Sequence, residues 1–150
     1  MLGQVQFDLA GLAHANQRCI YAIVLISTKG VYVYGGVTGT ANGTGISSPL
    51  QRLGTHLKRR GKTRTFLDNA QNEEVREAIE SGGSGFFYYS YCESDEAESQ
   101  EMQLVSALKA KFKARCLNEA VRDATGPLAP GVSLILEAVR KVTGGTVFGE

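Results

Sequence analysis

Two runs of β-branched and apolar residues flank a short polar turn near the start of this 150-residue chain. Residues 19–27 (CIYAIVLIS) and 31–38 (VYVYGGVT) have a composition typical of strands, and residues 28–30 separate them with a glycine at the end. This arrangement predicts a β-hairpin, in which the two strands are antiparallel neighbours. Because side chains alternate between the faces of a strand, Tyr32 and Tyr34 are expected to share one face.

Patterns further along the chain predict helices and one more strand. Ser48 and Pro49 suit the N-cap and the first position of a helix. The predicted elements after the hairpin are a loop over 39–48, helices over 49–57 and 73–79, a strand over 86–92, and helices over 95–114 and 132–142. The expected fold class is therefore α+β: a small three-stranded antiparallel sheet flanked by helices (β-β-α-α-β-α), plus a C-terminal helix. The length favours a single domain over 1–150.

The composition is that of an ordinary globular domain. The net charge is only +1, so any binding to nucleic acid has to come from local patches of charge. The three cysteines are widely spaced and match neither a disulfide framework nor a metal-thiolate pattern, so we expect buried thiols. Neither a signal peptide nor a membrane span is predicted, which favours a cytoplasmic protein.

Two pairs of residues suggest chemistry, although each has an ordinary structural explanation. Tyr21 and Tyr34 lie on adjacent predicted strands, where aromatic side chains commonly do no more than pack. Arg52 and His56 are four residues apart and share one face of a helix. That pair suits phosphate binding and proton transfer, and it equally suits a solvated helix surface.

An acidic residue on an apolar stripe is more unusual. Leu104, Val105 and Leu108 define one face of the predicted helix, and Glu101 falls on the same face. A carboxylate there is costly unless it is paired or binds a metal ion, and Mg²⁺ with one carboxylate and several waters would suit it. The acids that precede Glu101 suit a solvated helix start. Asn118, just beyond the helix, is by itself typical of a cap or turn.

Taken in order, these residues resemble the motifs of the GIY-YIG nuclease family. The matching segments are Cys19-Ile20-Tyr21 for GIY, Tyr34-Gly35-Gly36-Val37-Thr38 for YIG-x-T, Arg52-Leu53-Gly54-Thr55-His56 for the Arg-x-x-x-His helix, Glu101-Met102-Gln103-Leu104-Val105 for the glutamate, and Asn118 for the late asparagine. The resemblance covers about residues 19–118 and leaves 119–150 as a C-terminal extension.

The chain also departs from the family pattern. Cys19 replaces the first glycine of GIY, and Gly35 replaces the isoleucine of YIG. Thr38 and Arg52 are 14 residues apart, which is longer than the family's usual spacing. The glycine-rich stretch 39–48 is therefore an insertion, which either contacts DNA or only connects.

The resemblance implies a metal-dependent DNA endonuclease that hydrolyses phosphodiester bonds. In the implied mechanism, Glu101 holds a divalent ion (Mg²⁺ or Mn²⁺) and Arg52 binds the scissile phosphate. The general base is either Tyr21 or Tyr34, with support from the metal ion, from His56 or from nearby cations. Asn118 orients Glu101 or the phosphate. A basic run follows the predicted helix directly and is either a solvated surface or a contact with the DNA backbone. Its members are Lys58, Arg59, Arg60, Lys62 and Arg64.

Other interpretations remain open at this stage. One is a catalytically inactive DNA-binding module of the same fold. Another is a structural or interaction protein with chance matches, which predicts that Tyr21, Arg52 and Glu101 do not converge. In a nuclease of this size, specificity would come from the loop 39–48, from the C-terminal region, from a homodimer or from a protein partner. The apolar stripe of the last helix either packs on its own domain or forms a dimer interface, and it comprises Val132, Leu134, Ile135, Leu136, Val139 and Val142.

Overall fold

The structure is a computed structural model, and it describes residues 17–39, 48–57, 73–118 and 124–144. Its elements are β1 (Arg18–Ser27), β2 (Gly30–Val37), α1 (Pro49–Leu57), α2 (Glu73–Glu80), β3 (Ser84–Cys92), α3 (Ala97–Phe112), a 3₁₀ turn (Lys113–Arg115) and α4 (Pro130–Val142). The strands form one antiparallel sheet in the order β2-β1-β3. The expected α+β fold, with a three-stranded antiparallel sheet and flanking helices, is confirmed.

The hairpin between β1 and β2 forms where the sequence predicts it. Gly30 already pairs with Ser27 as the first residue of β2, so the turn itself is two residues long. Gly30 has a φ of 139°, a conformation that side chains rarely adopt, which explains the glycine at the end of the turn.

The register of the hairpin brings the two candidate tyrosines close together. Tyr21 lies opposite Gly36, and Tyr34 lies opposite Ile23. Tyr21 and Tyr34 are therefore diagonal neighbours on one face, and their ring centroids are 6.5 Å apart.

The hydrophobic core lies between α3, α4 and one face of the sheet. Its members from the strands and the two helices include Ile20, Ala22, Val24, Val31, Val33, Leu104, Leu108, Val132, Ile135 and Val139, all buried. Burying one such side chain typically contributes about 1.5–3 kcal/mol. The C-terminal helix therefore belongs to the same core as the sheet.

The opposite face of the sheet carries the tyrosines. Tyr21 and Ile23 form a buried cluster there, against which Tyr34, Phe87 and Tyr89 pack. Helix α1 reaches the same face through His56. The sheet thus separates a face covered by α3 and α4 from the face that carries Tyr21, Tyr34 and His56.

The chain beyond α3 returns to the outer edge of β2. Cys116 forms an isolated parallel bridge with Val33, and the Leu117 N–H donates to the Val33 carbonyl at 2.8 Å. This short segment satisfies backbone groups that an edge strand would otherwise present to solvent. It also places Asn118 beside β2.

Several boundaries differ from the predicted ones. β3 begins at Ser84 rather than residue 86, and α3 is shorter at both ends than 95–114. Helix α4 begins at Pro130 rather than residue 132, because proline is well suited to the first turn, where its missing N–H is not needed.

The predicted apolar stripe on α4 wrongly includes Leu134. Val132, Ile135 and Val139 are buried, whereas Leu134 is 63% exposed. Residues 132, 135 and 139 follow the three- and four-residue helical spacing, and residue 134 falls on the outer side. The predicted packing of this helix on its own domain is confirmed for the buried positions.

All three cysteines are free and buried, as expected from their spacing. Among the helices within the described ranges, none combines the length and apolar character needed to cross a bilayer.

Candidate functional site

Helix α1 positions two polar side chains over Tyr21. The Ser48 hydroxyl accepts a hydrogen bond from the Gln51 N–H (3.2 Å) and caps the helix start, with Pro49 as its first residue. Arg52 and His56 then follow one turn apart, so both face the sheet.

Tyr21 is the centre of the site. Arg52 Nε donates to Tyr21 Oη at 3.1 Å, and His56 Nε2 lies 2.7 Å from the same oxygen. Tyr21 is 0% exposed and His56 is 1% exposed, so this network is shielded from water. Burial raises the pKa of the Tyr21 hydroxyl well above its usual range, and the charge of Arg52 opposes that rise.

His56 is a neutral imidazole near pH 7. Burial, followed by the neighbouring charge of Arg52, lowers its pKa to about 4. Because Arg52 donates to the Tyr21 oxygen, both hydrogen bonds are satisfied when the Tyr21 O–H donates to an unprotonated Nε2. His56 therefore acts on Tyr21 as a hydrogen-bond acceptor rather than as a cation.

Glycine at position 36 is what lets the Tyr21 side chain lie against β2. A Cβ at Gly36 would overlap the Tyr21 hydroxyl and the adjoining ring carbon. A side chain at this position would push Tyr21 away from Arg52 and His56. The second glycine of the Tyr34-Gly35-Gly36 motif is thus explained by the close approach of the tyrosine.

Tyr34 borders the same network and is more accessible. Its ring meets the His56 ring edge-on, with centroids 5.1 Å apart. Unlike Tyr21, Tyr34 is only partly buried. Of the two tyrosines, Tyr34 is the one whose surface reaches solvent.

Glu101 on α3 completes the group from the other side of β2. Its side chain is partly buried and lies close enough to the Val37 backbone for that polar group to lower the pKa of the carboxyl. Burial, followed by the charge of Glu98, raises the pKa of the Glu101 carboxyl, while the charges of Arg52 and Arg18 act in the opposite direction. The expected position of Glu101 on a core-facing stripe is borne out by this partial burial.

Tyr21, Arg52 and Glu101 lie within electrostatic range of one another. Arg52 contacts Tyr21 directly, and its charge acts on Glu101 as well. An interpretation of these residues as scattered chance matches predicts the opposite arrangement.

Asn118 binds the backbone of β2. Its Oδ1 accepts from the Gly35 N–H at 2.9 Å, and its Nδ2 donates to the Gly35 carbonyl at 2.8 Å. The amide thus pairs with β2 as another peptide group would. These bonds fix the strand between Tyr34 and Gly36, and the orientation of Glu101 or a phosphate by Asn118 stays a prediction.

Arg18 is a residue of the site that the sequence reasoning missed. It is buried, and it donates to the carbonyls of Thr38 (3.0 Å) and Ser94 (3.3 Å) and to the Glu98 carboxylate at 2.6 Å. The hydrogen bond from Arg18 lowers the pKa of Glu98. Arg18 thereby ties the end of β2 to the start of α3, the two segments that hold the Glu101 carboxylate. The one available signal was an arginine at the start of an otherwise apolar strand.

Thr38, the threonine of the YIG-x-T motif, closes the hairpin at the same end. Its hydroxyl accepts from the Cys19 N–H at 2.9 Å, and its own N–H donates to the Cys19 carbonyl at 2.8 Å. Thr38 is fully buried. Its contacts therefore position the strand that carries Tyr34 and Val37.

Among the described residues, Glu101 is the carboxylate that the candidate site offers a metal ion. Within the described ranges, no group of three or more His, Cys, Asp or Glu side chains is arranged to hold a metal. The partly buried Glu101 carboxylate fits a hard cation that takes one protein ligand and completes its shell with water and substrate oxygens.

Some predicted site residues lie outside the described residues. These are the basic run, namely Lys58, Arg59, Arg60, Lys62 and Arg64, and residues 40–47 of the predicted loop 39–48. Comparison of the chain with protein-family models, with curated proteins and with solved structures finds no match.

Proposed function

We propose that this protein is a metal-dependent DNA endonuclease of the GIY-YIG type, which hydrolyses phosphodiester bonds. The observation that carries the proposal is the convergence of Tyr21, Arg52, His56 and Glu101 at one end of the sheet. The resemblance of the ordered motifs supplies the reaction class. The geometry supports this class because Arg52 and His56 of α1 contact Tyr21 of β1, and the charge of Arg52 acts on Glu101 of α3.

Glu101 would hold one Mg²⁺ or Mn²⁺ ion, which when bound stabilises negative charge on the phosphate and on the leaving oxygen. Arg52 would bind the scissile phosphate, since its guanidinium is permanently charged, donates to Tyr21 and acts electrostatically on the Glu101 carboxylate. Its charge favours the transition state, in which negative charge grows on the phosphate oxygens.

Tyr34 is the better candidate for the general base. The hydroxyl of Tyr21 is fully buried and already bonded to Arg52 and His56, whereas Tyr34 has exposed surface that water can reach. In its ionised form, as a tyrosinate near the charge of Arg52, Tyr34 would take one proton from the water and become a neutral hydroxyl. The water oxygen attacks phosphorus as the bond to the leaving oxygen breaks. Tyr21 would then position Arg52 and His56.

Partners and compartment follow from the same proposal. DNA is the expected partner, and a homodimer or a protein partner that gives specificity is the further expected one. The proposed location is the cytoplasm.

A cleavage assay with matched carboxylate variants tests the proposal. Purified protein is incubated with supercoiled plasmid, linear, single-stranded and branched DNA in Mg²⁺, beside Glu101→Gln and Glu137→Gln. Glu137 is an exposed acid on α4 paired with Lys141, so its variant controls for a lost surface charge. We expect the parent and Glu137→Gln to cleave, and Glu101→Gln and EDTA-treated protein not to cleave.

The alternative functions give different results. A parent protein that binds these DNAs equally with and without Mg²⁺ and cuts none of them would be the inactive binding module. Equal cleavage by the parent and Glu101→Gln would remove Glu101 from the mechanism. A parent that neither binds nor cuts DNA would contradict both nucleic-acid functions.

A further inference from the structure

We infer that the outward aromatic side chains of β3 form a stacking platform for unpaired DNA bases beside the candidate site. These side chains are Phe87, Tyr89 and Tyr91, hereafter the aromatic row. The inference rests on the proposed function and names its substrate class: a DNA strand whose bases are unpaired close to the scissile phosphate.

The aromatic row runs past Tyr21 along the neighbouring strand. Tyr89 lies opposite Tyr21 in the register, and the Phe87 ring is 5.4 Å from the Tyr21 ring. Along β3 the centroids of Phe87 and Tyr89 are 6.0 Å apart, and those of Tyr89 and Tyr91 are 5.8 Å apart. The rings therefore form one continuous surface from Tyr21 to the end of the sheet that carries Cys19, the partner of Tyr91.

The chemistry of this surface suits bases rather than phosphates. Strand β3 has the sequence SGFFYYSYC and holds no charged residue. All three rings of the row are only partly buried, so each keeps surface that a ligand can reach. Flat aromatic faces stack on any nucleobase, and the positive charge for the backbone is supplied next to the row by Arg52.

The two faces of β3 differ in what they pack against. Phe86 and Tyr88 point the other way, lie parallel to each other with centroids 6.2 Å apart, and pack on the hydrophobic core with α4. The core thus uses one set of aromatic side chains from this strand, and the aromatic row is a second set on the face of the candidate site. Tyr88 and Tyr89 are neighbours of the same type on opposite faces, which makes them a matched pair for mutation.

Only unpaired bases present their faces to such a row. In a duplex each base is stacked on both sides, so a protein meets only base edges and phosphates. Sheets that bind single strands stack two or three bases on aromatic side chains, and the row offers three rings at the border of the sheet.

The test measures binding in EDTA, so that it does not depend on cleavage. Binding is followed by fluorescence anisotropy with a labelled oligothymidine, an abasic oligonucleotide of the same length and charge, and a duplex. The proteins are the parent, Tyr89→Leu, Tyr91→Leu and Tyr88→Leu, each checked for folding by circular dichroism. If Tyr89→Leu does not fold, Tyr91→Leu takes its place.

We expect the parent to bind oligothymidine more tightly than the abasic strand. Loss of one ring of the row should weaken oligothymidine binding by about 5- to 150-fold, the range for one base–aromatic stack. Binding of the abasic strand should not change in Tyr89→Leu, and folded Tyr88→Leu should bind oligothymidine like the parent.

Three results would overturn the inference: equal affinity of the parent for both single strands, unchanged binding in the Tyr89 and Tyr91 variants, or equal losses in the Tyr88 and Tyr89 variants. Failure of the proposed function gives a different pattern, in which oligothymidine binds through the row but no DNA is cut when Mg²⁺ is added.

Discussion

Lowering the pH from 7 to 5 is expected to destabilise the fold through His56. The imidazole has a pKa of about 4 in the folded protein, against an ordinary value of 6.5. Above pH 7 it is neutral in both the folded and the unfolded chain. Between about pH 6.5 and 4, the unfolded chain binds a proton that the folded protein excludes. The free energy of unfolding therefore decreases as the pH falls through this window.

The size of the effect follows from the two pKa values. Their difference, at 1.36 kcal/mol for each pH unit, corresponds to a loss of about 3 kcal/mol once the pH lies well below 4. Between pH 7 and pH 5 the expected loss is about 2 kcal/mol, since part of the titration lies below pH 5. His56 is almost fully buried, so little of this is screened by solvent.

Urea unfolding at pH 7 and pH 5 in EDTA measures the loss, with His56→Gln as the control. Glutamine keeps a polar group near the Tyr21 hydroxyl but does not titrate. The carboxylates and His14, which lies outside the described residues, are common to both proteins. The parent should therefore lose about 2 kcal/mol more than the variant over this interval. Equal losses in the two proteins, or an NMR titration of His56 centred near pH 6.5, would refute the reasoning.

Two further substitutions test the packing around β2. Gly36→Ala should displace the Tyr21 hydroxyl and abolish DNA cleavage, and it should lower the free energy of unfolding by about 1–3 kcal/mol. The control is Gly54→Ala, where a Cβ meets nothing within 4 Å, and this variant should cleave like the parent. Full cleavage by Gly36→Ala would mean that Tyr21 need not occupy this position. Asn118→Asp keeps the acceptor for the Gly35 N–H but loses the donor to its carbonyl, so it should lower the free energy of unfolding by about 1–3 kcal/mol in urea titrations. An unchanged urea midpoint would count against the strand-bracing role.

The elements of the fold were predictable because their signals are local. The turn at residues 28–30 and the alternation around Tyr34 define the hairpin within about twenty residues of sequence. The capping pattern at Ser48 located the start of α1. The outward position of Leu134 was missed because the other apolar residues of α4 surround it in sequence, and only the helical phase separates them.

The candidate site was predictable only in its residue types. Glu101 stood out because an acid shares a stripe with leucine and valine, and the structure buries it in part. The contacts of Arg18 with Glu98 and of Asn118 with Gly35 join residues 80 and 83 positions apart, and no local pattern indicates such pairs. They depend on how α3 and the segment after it pack against β2.

The same long-range contacts can form only late during synthesis of the chain, because both partners must first be made. Arg18 and Glu98 are 80 residues apart, so at translation rates of about 5–20 residues per second their partnership becomes possible about 4–16 s after Arg18 is made. The amide that braces Gly35 comes later still, after the whole of α3. A growing chain on the ribosome can therefore form its hairpin early while the grouping around Tyr21 is still incomplete. If that grouping cuts DNA, the protein becomes active only after α3 and the segment that follows it have been made.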